Sequence, residues 1–350
     1  MSAQVPASAS AHLWRSDALG AEAELSLPQG RLRYFRRGQG PPLVFAHGWL
    51  ANANLWRKVV ELLADRFTCI ALDLPFGAHR IAMDPEADLS PARCGQLIAC
   101  ALAELGCSDV TLVGNDSGGA YSQIAVASDP QSVARLVLNS CETPYSEFPP
   151  APFDGLPAVA QNPEALGQLF EALRDRSIRA TPPAFGMLVK YPLEDLVSDS
   201  YALPCVNDRA ILLDTAKVMS SASSGPVQAA GRSLIAEFKR PVLFAWSPED
   251  QVFAPADAQR YCEALSDGRM VFIEDAYSFT PEDQPERLAE EIARFAGAGS
   301  AEGGRGLRSG KPGPRGRTRE QLYQEARSLG IEGRSGMNKA QLQRAVENKK

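Results

Sequence analysis

Histidine is the scarcest residue with acid–base chemistry in this 350-residue chain: there are three, His12, His47 and His79. Any mechanism that relies on imidazole must draw on one of those positions. The seven cysteines (Cys69, Cys94, Cys100, Cys107, Cys141, Cys205, Cys262) form an odd, scattered set without a CxxC pair or His-rich metal spacing. That pattern argues against a disulfide framework or a structural metal, and fits buried thiols in a reducing compartment. No uninterrupted apolar run approaches the roughly 20 residues that span a bilayer. The Ala/Ser-rich start lacks a charged n-region followed by an apolar h-region, so the expectation is a cytoplasmic chain with no membrane segment. Neither a metal nor a cofactor is expected.

What is present suits a globular core: 45% of residues are apolar and 7% aromatic. The length admits one large α/β domain plus something small. The net charge of −6 hides an asymmetry, because residues 298–350 carry 12 Lys/Arg against 5 Asp/Glu. The tail is therefore +7 and the remainder −13, which implies two bodies of opposite sign. Residues 298–317, rich in Gly, Pro and Arg, read as a flexible basic linker.

Along the chain, 22–28 and 31–37 read as a strand pair turned at Pro28-Gln29-Gly30. Apolar runs at 42–46, 67–74, 110–115 and 134–139 alternate with helical patterns at 55–65, 91–106 and 118–128. From Glu142 to Lys239 the strand rhythm gives way to proline-rich loops and helical stretches near 163–175, 183–190, 207–220 and 226–238, an inserted helical cap. The rhythm returns with strands at 241–246 and 270–274 and helices at 254–266 and 284–296. Strands alternating with helices and buried on both faces predict a doubly wound, mostly parallel α/β sheet.

The most informative stretch is Thr111-Leu112-Val113-Gly114-Asn115-Asp116-Ser117-Gly118-Gly119. It reads as a nucleophile elbow, in which small residues two before and two after the nucleophile make room for a strained strand-to-helix turn. Gly114 and Gly118 meet that need around Asp116, whereas centring the turn on Ser117 puts Asn115 at the first small position. A carboxylate there points to covalent chemistry through an alkyl ester. The alternative is an aspartate helix cap followed by glycines. In an open parallel sheet the working loops lie at the carboxyl ends of the strands. His47-Gly48-Trp49 follows the third strand, and the amides of Trp49 and Ser117 are candidates for an oxyanion or leaving-group hole. Asp250 follows the next-to-last strand as the candidate acidic member, with Glu142 after the sixth strand a second choice. His47, Trp49, Trp246 and Phe253 are the expected lining of an apolar substrate pocket.

Together, His47-Gly48, Asp73-Leu74-Pro75, Gly114-Asn115-Asp116-Ser117-Gly118-Gly119 and Asp250-Gln251-Val252-Phe253 resemble the α/β-hydrolase superfamily, in the branch of haloalkane dehalogenases and epoxide hydrolases. The resemblance covers about residues 20–297 with the cap at about 142–239, and implies the α/β-hydrolase fold, an Asp116 alkyl-enzyme ester, and water activated by a histidine after the last strand. The segment Ala276-Tyr277-Ser278-Phe279-Thr280-Pro281-Glu282-Asp283-Gln284-Pro285-Glu286 is similar to the family's histidine segment, yet Ser278 stands in the histidine's place. A neutral serine is no base near pH 7; His79 is the one candidate surrogate near the same sheet edge. Residue 117 is serine where many dehalogenases carry a halide-holding tryptophan, and His47-Gly48-Trp49-Leu50 lacks the proline frequent in epoxide hydrolases. Tyr191 and Tyr201 in the cap are candidates to polarise an epoxide oxygen.

Residues 318–350 resemble the small Rho termination factor N-terminal and SAP-type helical modules, through Leu322-Tyr323, Ala326, Leu329-Gly330-Ile331, Gly333-Arg334-Ser335 and Met337-Asn338-Lys339-Ala340-Gln341-Leu342. The resemblance implies nucleic acid as a partner, with Arg334, Lys339 and Arg344 contacting phosphates. The expectation is a hydrolase of a small apolar alkyl halide, epoxide or ester, with Asp116, Asp250 and Ser278 as the catalytic set. The rival is an inactive ligand-binding homologue tethered to nucleic acid or a protein by its tail.

Overall fold

The computed structural model describes residues 11–297 and, nearer the C-terminus, Gln341, Arg344, Ala345, Asn348 and Lys349. The chain divides into two units, residues 1–299 and 300–350.

The first unit is built on an eight-stranded sheet in the order β1-β2-β4-β3-β5-β6-β7-β8. Strands β1 (Ala21–Leu27) and β2 (Gly30–Arg37) form the antiparallel edge, and β2 joins β4 (Thr68–Leu72) antiparallel. From β4 onward the pairing is parallel through β3 (Pro42–Ala46), β5 (Thr111–Asn115), β6 (Arg135–Asn139), β7 (Val242–Trp246) and β8 (Gly268–Phe272). Strands β3, β4, β5 and β7 are almost wholly apolar because both faces are covered. Alternate residues serve opposite cores. Leu43, Phe45, Val113 and Val137 pack with α1 (Arg57–Leu63), and Val44, Leu112, Leu136 and Phe244 with α2 (Pro91–Glu104) and α3 (Ser117–Ser128).

The segment between β6 and β7 is helical, where the cap is expected, but its last helix packs on α3 beside the sheet. It contains α4 (Leu156–Ala160), α5 (Pro163–Glu171), α6 (Arg176–Arg179), α7 (Asp195–Ala202), α8 (Pro204–Asn207), α9 (Arg209–Ser220) and α10 (Ser224–Glu237). The helix expected over 183–190 is absent. Pro182 and Pro183 open a five-residue turn that breaks at Ala184 (φ −118°, ψ −113°). Beyond β7 come α11 (Pro255–Ala264), α12 (Thr280–Asp283) and α13 (Pro285–Gly297). Strand β8 begins two residues earlier than its apolar run suggests, because an edge strand is fixed by its backbone ladder, which pairs Gly268 with Val242.

Residues before 20 also belong to this body. Arg15 is buried and makes a bidentate pair with buried Asp73 at 2.9 and 3.1 Å, just beyond β4. Arg57 and Lys58 of α1 meet Glu282 of α12, which also accepts a hydrogen bond from Tyr201 of the cap at 3.0 Å. Among the described residues no helix is long and apolar enough to cross a membrane.

In the second unit, Gln341, Arg344 and Ala345 are helical, and Arg344 is exposed. The Arg344 carbonyl accepts the Asn348 N–H at 2.9 Å. Arg334, Lys339 and the linker 298–317 lie outside the described residues.

Candidate active site

Asp116 sits where β5 ends and α3 begins, at φ 55° and ψ −144°. A non-glycine residue pays roughly 1–3 kcal/mol for such a conformation, so the neighbouring packing must enforce it. It does so through close approach. A Cβ on Gly118 would lie 2.4 Å from the His47 carbonyl oxygen, and one on Gly114 would lie 2.6 Å from the Gly119 Cα.

The Asp116 Oδ1 accepts a hydrogen bond from the Ser117 N–H, and the Trp49 N–H donates to Ser117 Oγ at 2.9 Å. The two amides singled out from the sequence thus converge beside the carboxylate, each engaged by a neighbouring side-chain oxygen. Burial pushes the Asp116 carboxyl up to about 6; the Ser117 and Trp49 amides oppose the rise and the Asp250 charge adds to it.

Asp250 Oδ1 accepts the amides of Val252 and Phe253, both at 2.9 Å, and the Ser278 hydroxyl at 2.7 Å. Its Oδ2 is buried without a hydrogen-bond partner, and burial raises its pKa. Positions 250 and 278 are thus hydrogen-bonded to each other, with a hydroxyl donating to the carboxylate. A buried amide ladder holds this segment. Asn115 Nδ2 donates to the carbonyls of Asn139 and Ser278, both at 2.9 Å, and Asn139 Nδ2 donates to the Ala245 carbonyl at 2.6 Å and to Thr280 Oγ1 at 2.8 Å. Sequence reasoning missed this ladder; its signal is a pair of amide residues, Asn115 and Asn139, ending otherwise apolar strands.

Beside Asp116 lies a cavity of about 40 Å³ lined by Trp49, Ser117, Glu142, Phe148, Phe253 and neighbouring cap residues. Neither Asp250 nor Ser278 lines it. It shares Leu50, Phe153 and Leu156 with a larger, mainly apolar cavity of about 340 Å³ within the cap, bounded also by Val159, Phe170 and Phe185.

Five of the residues singled out from the sequence are engaged away from their expected roles. His47 is fully buried, with Nε2 accepting the Leu74 amide at 2.8 Å and Nδ1 bonded to the Gly48 carbonyl at 2.9 Å, so both ring nitrogens are used in holding loops together. Burial lowers its pKa to about 4. Trp246 is also fully buried, with Nε1 on the Phe253 carbonyl at 2.9 Å, and packs on the core side of the sheet against Phe244. His79 is buried against Asp214 of α9 at 3.2 Å, tying the loop after β4 to the cap. Tyr191 donates to Asp275 at 2.7 Å and Tyr201 to Glu282, both away from the cavity lining.

Glu142 has the greater prominence in space. It is 1% exposed, Oε2 has no hydrogen-bond partner, and burial followed by the Asp116 charge raises its pKa well above the ordinary glutamate value.

Residues 41–285 match the alpha/beta hydrolase fold family. The chain belongs to that family. Among relatives of this α/β hydrolase is the uncharacterized hydrolase YugF of Bacillus subtilis, 23% identical over 277 residues, 75% of this chain and 93% of the relative. A 112-residue stretch is 38% identical to the uncharacterized protein Rv2715 of Mycobacterium tuberculosis, about a third of each chain (32%). Of solved structures, the haloalkane dehalogenase DbeA of Bradyrhizobium elkani superposes with a TM-score of 0.67 at 18% identity, covering 80% of this chain and 99% of that one. An α/β-hydrolase fold protein of Burkholderia ambifaria gives 0.65 at 24%, covering 77% and 96%. At these identities the structural likeness establishes the shared fold.

Proposed function

We propose that this α/β hydrolase cleaves a small apolar alkyl halide, epoxide or ester through a covalent ester on Asp116. The observation that carries the reading is the Asp116 carboxylate, forced onto a strained elbow and facing a cavity beside two convergent backbone amides. Attack by Asp116 on an electrophilic carbon produces the alkyl-enzyme ester. The amides of Trp49 and Ser117 then stabilise the oxyanion as water attacks the ester carbonyl. The apolar cap cavity supports an alkyl or aryl substituent in the substrate. Asp250 and Ser278 serve as positioning residues that hold the loops after β7 and β8.

A second reading, a ligand-binding homologue that does not turn over, is favoured by one observation. The group hydrogen-bonded to Asp250 is the Ser278 hydroxyl, which has no basicity at neutral pH. Intact-protein mass spectrometry after exposure to alkyl halides, epoxides and esters separates the two. The expected result is an adduct or turnover in the natural chain and none with Asp116→Asn. Neither adduct nor turnover with any probe would sink the catalytic reading.

A further inference from the structure

The cavity at Asp116 holds a second carboxyl group whose placement has chemical consequences if Asp116 is the nucleophile. Glu142 follows β6, and it lines the same 40 Å³ space as Asp116. Its Oε2 is buried without a partner, an uncommon state for a carboxyl oxygen that has no task. The other ionisable groups beside it are Asp116, Tyr121 and Cys141. Burial raises the Tyr121 and Cys141 pKa values well above their ordinary positions, so neither is a base near neutral pH. Asp250 engages Ser278, Val252 and Phe253 and does not line the cavity.

We propose that Glu142 is the proton-transfer residue of this site, acting first as general acid and then as general base in the place a histidine would fill. The inference rests on the Asp116 reading. Two neighbouring carboxyls that share one negative charge hold one group as nucleophile and the other as acid. The Asp116 carboxylate attacks an epoxide carbon, the C–O bond breaks, and the departing oxygen takes the Glu142 proton. Glu142, now a carboxylate, removes a proton from the water that attacks the Asp116 ester carbonyl. Collapse of the tetrahedral intermediate expels the second product oxygen, which takes the proton left on the Asp116 carboxyl. The products are a diol, the Asp116 carboxylate and neutral Glu142, and the sum is epoxide plus water. A halide leaves without a proton, so a built-in acid favours an oxygen leaving group.

The test uses the full chain and its Glu142→Gln and Asp116→Asn variants, with styrene oxide and 1-bromobutane as probes, followed by time-resolved intact-protein mass spectrometry. Glu142→Gln should form the styrene oxide adduct at least about tenfold more slowly relative to the 1-bromobutane adduct. Either adduct should clear about a hundredfold more slowly than in the natural chain, the scale of acid–base catalysis by one group. Infrared difference spectra of the natural chain against Glu142→Gln at neutral pH should show the loss of a protonated carboxyl band, a readout independent of turnover. Adducts that form and clear from Glu142→Gln at the natural rates overturn the role of Glu142 and leave Asp116 standing. Neither adduct nor product in the natural chain with either probe overturns both.

Discussion

The backbone conformation and the raised pKa of Asp116 both pull against stability at neutral pH. Its carboxyl titrates at about 6 in the folded chain against an ordinary 3.8, so the folded state binds the proton more tightly than the unfolded state does. Stability contributed by this group is present below about pH 4, falls as pH rises through 6, and is a net penalty above it. Two units at 1.36 kcal/mol each put this penalty on the order of 1–3 kcal/mol. Asp116→Asn, whose Oδ1 still accepts the Ser117 N–H, should raise the melting temperature by a few degrees at pH 7. That gain should vanish near pH 4; an equal gain at both values, read by calorimetry, would show that strain and not charge is responsible. Asp116 was legible because the small residues at 114 and 118 are a local requirement of the turn. Glu142 was visible only as a second acidic choice, since its burial and its unpartnered Oε2 arise from long-range packing that no local pattern encodes. Trp246 and His47 misled for the converse reason: apolar bulk and a ring nitrogen at a strand end look alike whether they face a cavity or the core.

At the scale of elements, the β3–α1 loop and the start of α3 share one contact that links fold to chemistry. A Cβ on Gly48 would lie 2.2 Å from Asp116 Oδ1 and 2.5 Å from its Cβ, so even alanine must displace the carboxylate or the loop. Overpacking of this kind costs about 1–3 kcal/mol. Misplacing a reacting atom by about 1 Å loses on the order of a hundredfold in rate. Gly48→Ala should therefore lower the melting temperature modestly and slow alkylation of Asp116 about a hundredfold; an unchanged alkylation rate would show that the loop does not set the carboxylate's position. The same local logic explains which elements could be anticipated. Sheet strands such as β3 and β5, apolar and bounded by turn residues, were placed within a residue or two. In the cap, α6 and α8 span four residues each, too few for a helical period; α6 is started by Asp175 accepting the Ser177 N–H, and α8 is closed by the Asp208 N–H donating to the Pro204 carbonyl. Arg15 gave no sequence sign of its partner, because its pairing with Asp73 spans 58 residues.

For the whole molecule, the division of charge is the property that the catalytic body does not use. Residues 298–350 hold an excess of seven positive charges while the rest of the chain is strongly acidic, so any attraction to a polyanion must come from the tail. Within it, Arg344 is exposed on helical backbone, where a cation can reach a phosphate without desolvation of its stem. Binding through Arg334, Lys339 and Arg344 would release about three counterions, giving a slope of roughly −2.7 for log affinity against log salt on duplex DNA. The full chain should bind a fluorescent duplex or single strand at low salt and lose it as salt rises, whereas a chain ending at Gly297 should not bind. Replacing the three cations with alanine should flatten the slope and weaken binding uniformly across sequences, because phosphate contacts carry no base information. If the full chain binds neither DNA nor RNA at low salt, the basic tail does not serve nucleic acid. A steep slope that survives the triple substitution would move the contact to the arginines of 305–319, whose spacing between glycines and prolines suits backbone charge neutralisation without a fixed register.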